Sequence, residues 1–229
     1  MQPKKKIVQI ALRTMRTFPF ESAVLLRSIK KNVVVYLNDS SAESRLEAAL
    51  TCCGALRLRV RSSKSTSSAV EQIMEALIPV AVGDSDSSIR TALLTEFCRP
   101  SAAIDSYLSQ ARVLRALFVT LNDENVSIRI LGVDLLGRLA TRNPAYVLPA
   151  LRAHMLQLLA ELEYSSESLH REEAARVMAA LIRSCPRLVT PYLSPILKCL
   201  MSTLKAEEGA ALVKAAGKPK KDGQTLKPT

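Results

Sequence analysis

The chain has no tryptophan, four phenylalanines, five tyrosines and seven glycines in 229 residues. That scarcity argues against an all-β sandwich or barrel, whose many tight turns need glycine and whose strands favour aromatics. There are five cysteines, Cys52, Cys53, Cys98, Cys185 and Cys199, an odd number at irregular spacing and without a Cys-x-x-Cys pair. A secreted disulfide framework and a structural zinc site are both disfavoured, and the cysteines read as small buried apolar residues on helices. No apolar run reaches the roughly 20 residues of a membrane span. The lysine-bearing start, Met1 to Lys6, is not followed by an apolar segment with a small-residue cleavage site. The chain therefore reads as soluble, intracellular and cytoplasmic.

Chemistry is also missing. The sequence has no Asp-Phe-Gly, no His-Arg-Asp and no glycine-rich phosphate loop. Its only histidines, His154 and His170, have no Cys or carboxylate at nucleophile or metal spacing. Glu161 with Glu163, and Glu172 with Glu173, read as solvated helix surface rather than paired catalytic acids. No catalytic, cofactor or metal residue is assigned, and no small-molecule substrate is expected.

What is present is repetition. Between Arg129–Leu151 and Arg171–Leu193, six residues recur 42 positions on: Arg129/Arg171, Leu139/Leu181, Pro144/Pro186, Val147/Val189, Pro149/Pro191 and Leu151/Leu193. A second signal runs the length of the chain. An Asp closing an apolar stretch is followed six residues later by an Arg: Asp39 and Arg45, Asp84 and Arg90, Asp123 and Arg129. In a fourth copy Ser165 holds the Asp position before Arg171. The arginines step by 45, 39 and 42 residues, which suits an all-α solenoid of the HEAT or armadillo kind, with units of about 40–47 residues.

The unit has a physical logic. A first helix ends near Leu37, Val82, Leu121 or Leu162, and a short polar turn caps the second helix. The Arg lies in or near that helix's first turn. Small residues follow (Ala48, Ala49, Gly132, Ala174, Ala175) and would let paired helices approach. The Asp and Arg side chains are expected to bridge turns within and between repeats. Apolar residues at 3–4 spacing, such as Leu148, Leu151, Met155, Leu158, Leu159 and Leu162, support helices. Val33–Leu37 is strand-like locally but occupies a helix slot, and reads as a buried helix end. Pro144, Pro149, Pro186 and Pro191 are expected to punctuate turns between repeats.

About ten helices result, over 5–16, 21–37, 41–60, 66–82, 86–98, 104–121, 125–142, 147–163, 167–184 and 190–205, with the best internal breaks at 61–67 and 99–103. Residues 1–205 form about five repeats, the last incomplete; 206–229 read as a Lys-rich disordered tail, with a brief helix possible over Ala206–Ala216. The last helix shows an apolar face, Ile196, Leu197, Leu200 and Leu204, without a second helix or a polar cap. The chain thus reads as a piece of a longer solenoid or a truncated product of one.

The net charge of +11 could imply an acidic partner, nucleic acid or an anionic membrane. Its placement weakens that reading. Lysines cluster at the start and in the tail, and the one dense internal group (Arg57, Arg59, Arg61, Lys64) has no interleaved aromatics.

The segments LRALFVTLNDENVSIRILGVDLLGRLATRNPAYVLPALRAHMLQLLAELEYS (Leu114–Ser165) and EEAARVMAALIRSCPRLVTPYLSPILKCL (Glu172–Leu200) resemble the N-terminal HEAT region of the target-of-rapamycin (TOR) kinases. The stretches NPAYVLP and TPYLSPILK, which no repeat consensus dictates, are the specific part. Ala11-Leu12-Arg13-Thr14 through Phe18-Pro19-Phe20-Glu21 is a weaker match. The resemblance implies a segment of a large phosphatidylinositol-kinase-related protein whose kinase domain is C-terminal. It also implies a solenoid that shapes a dimer and docks a regulatory scaffold subunit in nutrient and growth signalling. After Leu204-Lys205 the family pattern continues into further repeats, whereas this chain enters its Lys-rich tail. The alternatives are a free-standing HEAT adaptor, or a basic solenoid binding acidic cargo or nucleic acid.

Overall fold

The computed structural model describes residues 3–17, 23–57 and 64–216. Among them the chain is helical: α1 (Pro3–Thr17), α2 (Ala23–Asn32), α3 (Ala42–Leu56), α4 (Lys64–Gly83), α5 (Ser87–Cys98), α6 (Ala102–Leu108), α7 (Ala111–Leu117), α8 (Val126–Leu139), α9 (Pro144–Tyr164), α10 (Ser168–Ser184), α11 (Pro186–Val189) and α12 (Leu193–Ala216). Short 3-10 turns cover Val34–Asn38, Phe118–Asn122 and Thr190–Tyr192.

The helices stack in two rows. In one, α1, α3, α5, α8 and α10 each pack on the next. In the other, α2 packs on α4, α4 on α7, and α9 on α12. Links such as α4 to α5, α7 to α8 and α9 to α10 join the rows into successive pairs. This is the stacked-pair order that the 42-residue repeat predicts, and each pair relies on its neighbours to cover its apolar faces. One continuous core results, running from Leu12 and Ile29 through Leu77, Phe97 and Leu117 to Leu136, Met155 and Leu181.

Several boundaries differ from the sequence reading. The helix expected over 104–121 is broken at Ser109-Gln110. There Gln110 takes an extended conformation, and the Ser109 carbonyl accepts from the Asn143 side chain at 3.0 Å instead of continuing a helix. The helix expected over 21–37 ends at Asn32 and passes into the 3-10 turn. Val33 and Leu37 are buried there but Val35 is exposed, so this stretch is a tight turn rather than a buried helix end. The turn at Phe118–Asn122 fills the same slot, ahead of Asp123 as the first is ahead of Asp39.

Pro144 and Pro186 open α9 and α11, where a missing amide hydrogen costs nothing. Pro149 does not mark a turn: it lies inside α9, and Pro191 lies inside the third 3-10 turn. Pro149 forgoes the bond to the Ala145 carbonyl, and the fully buried Val147 and Leu151 beside it hold the helix on course. The helix of α12 continues through Ala216, beyond the expected array end at Lys205. Residues 206–216 are mostly Ala, Glu, Leu and Lys, all good helix formers. Of the last helix's expected apolar face, Ile196 is buried, Leu200 partly so, and Leu197 and Leu204 are exposed. The Gly217–Thr229 tail, the Phe18–Glu21 match, and Arg59 and Arg61 lie outside the described residues.

The small residues permit close approach within pairs. Ala48, Ala49 and Ala174 are fully or almost fully buried. A Cβ on Gly132 would stand 2.2 Å from Thr120 Oγ1 and 3.0 Å from Thr120 Cβ. The Thr120 hydroxyl cannot easily swing away, because it donates to the Leu117 carbonyl at 2.7 Å. Gly83, by contrast, has nothing within 4 Å of its ideal Cβ. Gly132→Ala is therefore expected to lower stability by about 1–3 kcal/mol through overpacking, whereas Gly83→Ala leaves it unchanged or raises it slightly. Urea unfolding of the two variants checks the contrast; equal effects would contradict the close-approach account.

Candidate functional site

The sequence-marked residues assemble along one edge of the array, where each first-row turn meets the next helix. Every marked Asp closes a turn by accepting an amide two residues on: Asp39 from Ser41 (2.8 Å), Asp84 from Asp86 (2.9 Å) and Asp123 from Asn125 (2.9 Å). Ser165 does the same through its hydroxyl, from Glu167 at 3.3 Å. The next helix then presents its Arg, whose Nη1 donates back to the carbonyl of the residue six positions earlier. Arg45 reaches Asp39 O (3.0 Å), Arg90 reaches Asp84 O (2.6 Å), Arg129 reaches Asp123 O (2.8 Å) and Arg171 reaches Ser165 O (2.8 Å).

The carboxylates serve the preceding repeat. Arg45 forks onto Asp84 through Nε and Nη2, both at 2.8 Å. Arg90 forks onto Asp123 at 3.0 and 2.9 Å, and its Nη2 also donates to Glu124 at 3.1 Å. Each planar guanidinium thus ties its own turn, by a carbonyl, to the next turn, by a two-point carboxylate contact. Both forks are nearly buried: the side chains are 15% and 5% exposed for Arg45–Asp84, and 7% and 9% for Arg90–Asp123. Arg45 holds the Asp84 carboxyl below its usual range, helped by the Asp86 amide and opposed by burial.

The third step differs. Ser165 offers no carboxylate, and Arg129 turns its Nη2 to Glu173, one turn into α10, at 2.6 Å. A groove of about 540 Å³ opens at this step, lined by Asp123, Glu124, Arg129, His154, Glu161 and Glu173 among others. His154 is buried and its Nε2 has no hydrogen-bond partner. Burial lowers its pKa, Glu161 opposes and Arg129 assists, so it is held neutral. Glu161 accepts from Gln157 and Glu173 is engaged by Arg129. The groove contains carboxylates and two imidazoles, His154 and His170; His170 lies 3.4 Å from Glu167, and the one lining hydroxyl, Ser165, accepts from the Glu167 amide. Among the described residues no group of three or more His, Cys, Asp or Glu side chains could hold a metal. No described helix is long and apolar enough to cross a membrane.

A further set of ties was not foreseen from the sequence. Arg57 binds Glu96 at 3.0 Å, Arg13 binds Glu47 at 2.6 Å, and Arg138 pairs with Asp105. Thr51 of α3 donates to the Leu12 carbonyl of α1 at 2.9 Å. The ion pairs Arg57–Glu96 and Arg13–Glu47 span 39 and 34 residues, and in Arg138–Asp105 the acid comes first, so no one spacing and order of charges marks them in the sequence. Burial disfavours the thiolate at four of the five cysteines. Burial pushes Cys52 up to about 12 and Cys98 to about 11, and raises Cys53 and Cys185 as well.

No protein-family model matches the chain. Individual relatives do. It is 40% identical over 214 residues to the serine/threonine-protein kinase TOR of Arabidopsis thaliana. Over 205 residues it is 37% identical to the serine/threonine-protein kinase mTor of Drosophila melanogaster, and over 195 residues 35% identical to the serine/threonine-protein kinase tor1 of Schizosaccharomyces pombe. The matches cover 88%, 87% and 84% of this chain. This chain is a homologue of one segment of the TOR serine/threonine kinases. It spans only 9%, 8% and 8% of the length of those relatives. Among the described residues, then, the recurring arginines hold one turn to the next.

Removing one arm of a nearly buried fork strands the other charge. Arg90→Ala is expected to cost about 3 kcal/mol or more in urea unfolding. Arg129→Ala, whose carboxylate partner is more exposed, costs about 1 kcal/mol. Equal losses would refute the ladder's gradation. The depressed Asp84 carboxyl adds a pH signature. Its stabilisation is complete above the unfolded-chain value of about 3.9 and is lost as pH falls through the lower folded value. Asp84→Asn should therefore flatten part of the acid limb of a stability–pH curve; an unchanged limb would remove Asp84 from the account.

Proposed function

We propose that the chain is a HEAT-repeat scaffold segment of a TOR-like serine/threonine kinase, docking regulatory subunits and shaping the complex in nutrient and growth signalling in the cytoplasm. The carrying observation is the match to one segment of TOR kinases in an array whose marked residues stitch turn to turn. Side chains engaged in carbonyl and carboxylate contacts maintain a surface; they do not process a substrate. The kinase relatives supply the class of assembly, and the array's exposed turns and helix faces supply the kind of contact. In this reading the chain itself performs no catalysis.

Size-exclusion chromatography of the intact chain with the purified regulatory scaffold subunit of a TOR complex tests the proposal. Co-elution is expected with the unaltered chain and is reduced for Arg90→Ala, which loosens one turn from the next. Separate elution of the two proteins at micromolar concentration would overturn the docking reading.

A further inference from the structure

The two edges of the array differ in how their charges are compensated. The ladder edge holds Asp39, Asp84, Asp86, Asp123, Glu124 and Glu167 together with Arg45, Arg90, Arg129 and Arg171, which neutralise several of them. On the other edge, at the returns after α8 and α10, Arg142, Arg183 and Arg187 are exposed; at the earlier return the exposed Arg99 is paired with Glu96. None of Arg142, Arg183 and Arg187 is in an ion pair among the described residues. The sequence around them is devoid of acid: no Asp or Glu occurs from Leu135 to Ala160, nor from Ala174 to Ala206. Asp134, the acid nearest Arg142 in sequence, accepts from Ser184 Oγ at 2.5 Å.

An apolar groove of about 620 Å³ lies between the two turns of this edge, lined by Ala140, Pro144, Leu148, Cys185, Pro186 and Leu188. Arg187 also lines it; Arg142 and Arg183 adjoin its lining residues Thr141 and Ser184 in sequence. Beneath it, α8 and α10 come so close that a Cβ on Gly137 would stand 2.5 Å from Ser184 Cβ. Beside it begins α9, a 21-residue helix whose Asn143 N-cap makes no side-chain cap bond. The Asn143 amide group is engaged with the Ser109 carbonyl instead. The positive end of the α9 dipole therefore adds to the arginines.

A concave apolar slot with a cationic rim selects among anionic partners. A bilayer is entered by protruding apolar side chains, not by a recess. Single-stranded nucleic acid needs open aromatic faces, and the nearby Tyr146 ring is already stacked on Phe118, with centroids 5.8 Å apart. A peptide supplies what fits: an apolar side chain for the slot and carboxylates for the rim. We propose that this groove, lined by Arg187 and with Arg142 and Arg183 next in sequence to its lining residues, docks a protein segment carrying an apolar side chain flanked by Asp or Glu. The inference rests on the scaffold reading above for the kind of partner, and adds its place and chemistry.

The test is selection of a displayed library of random dodecapeptides on the intact chain, followed by fluorescence anisotropy of the top synthetic peptide. Enriched peptides should place an apolar residue between acidic ones. Arg142→Glu, Arg183→Glu and Arg187→Glu together should weaken binding by about tenfold or more; Arg27→Glu with Lys31→Glu on α2 should not. Replacing the peptide's apolar residue by Ser should weaken it comparably. If the triple variant shifts the unfolding midpoint, Arg187→Gln alone is read, with a smaller loss of the same sign. Selected peptides without acidic bias, or equal binding by the reversed variant, would overturn the proposal. So would tighter, arginine-dependent binding of single-stranded DNA or of phosphatidylserine vesicles. Loss of peptide binding with scaffold-subunit co-elution intact removes this groove alone; the opposite result removes the scaffold reading and keeps the groove.

Discussion

Two successive steps of the array are set by one contact type, the guanidinium shared between a carbonyl of its own turn and the carboxylate of the next. Apolar burial supplies most of the stabilising free energy, on the order of 1.5–3 kcal/mol for each large side chain taken from water. That term is non-directional, and it would tolerate many slides and rotations of one helix pair over another. The fork is not tolerant. Arg45 and Arg90 each present coplanar donors that fit a carboxylate at one distance and one orientation. The carboxylates are themselves fixed, because Asp84 and Asp123 are pinned by amides two residues on. A rigid donor therefore meets a rigid acceptor, and the angle between successive pairs is set.

This division of labour explains which parts of the architecture could be read from the chain. The Asp-to-Arg spacing of six was visible because the return contact, Arg Nη1 to a carbonyl, spans a fixed number of bonds along one turn. The connection to the next repeat could be expected in kind but not in detail. Nothing in the spacing says that Asp84 serves Arg45 while lending only its carbonyl to Arg90. The Glu173 substitute for the missing fourth Asp was hidden for the same reason. It sits 44 residues from Arg129 and on a helix, not in a turn. The break at Ser109-Gln110 was also invisible, because it depends on Asn143, a residue 34 positions away, reaching the Ser109 carbonyl. Local pattern encodes local contacts well; it encodes partner choice only where the partner repeats too.

The ladder has an electrostatic consequence beyond its own edge. To build it, acids are concentrated in the turns leading into α3, α5, α8 and α10, and several are neutralised there by their forks. On the returning side, Arg57 and Arg99 after α3 and α5 are met by Glu96. The returns after α8 and α10 keep Arg142, Arg183 and Arg187 outside any ion pair among the described residues. The difference between the edges is therefore a by-product of how the repeats are fastened, and the excess positive charge of the chain is not spread evenly. Fields of this kind act over about a Debye length, roughly 8 Å at physiological salt. That range is shorter than a helix of α9's 21 residues at about 1.5 Å per residue. An approaching acidic segment thus feels the arginine edge without feeling the carboxylates across the array.

The irregular third step shows how far such a ladder can bend before it fails. Replacing Asp by Ser at 165 removes the two-point acceptor but preserves the turn, since the Ser165 hydroxyl still takes the Glu167 amide and its carbonyl still takes Arg171. Arg129 keeps its own carbonyl and finds one oxygen of Glu173 in place of two of an Asp. The turn-forming half of the motif and the repeat-joining half are separable: the first needs any short side chain with an acceptor, the second needs a carboxylate somewhere within reach of the guanidinium. Glu173 approaches from the helix rather than from the turn. The groove beside His154 opens there. One changed side chain thus leaves the array's register in place and alters only the surface it presents.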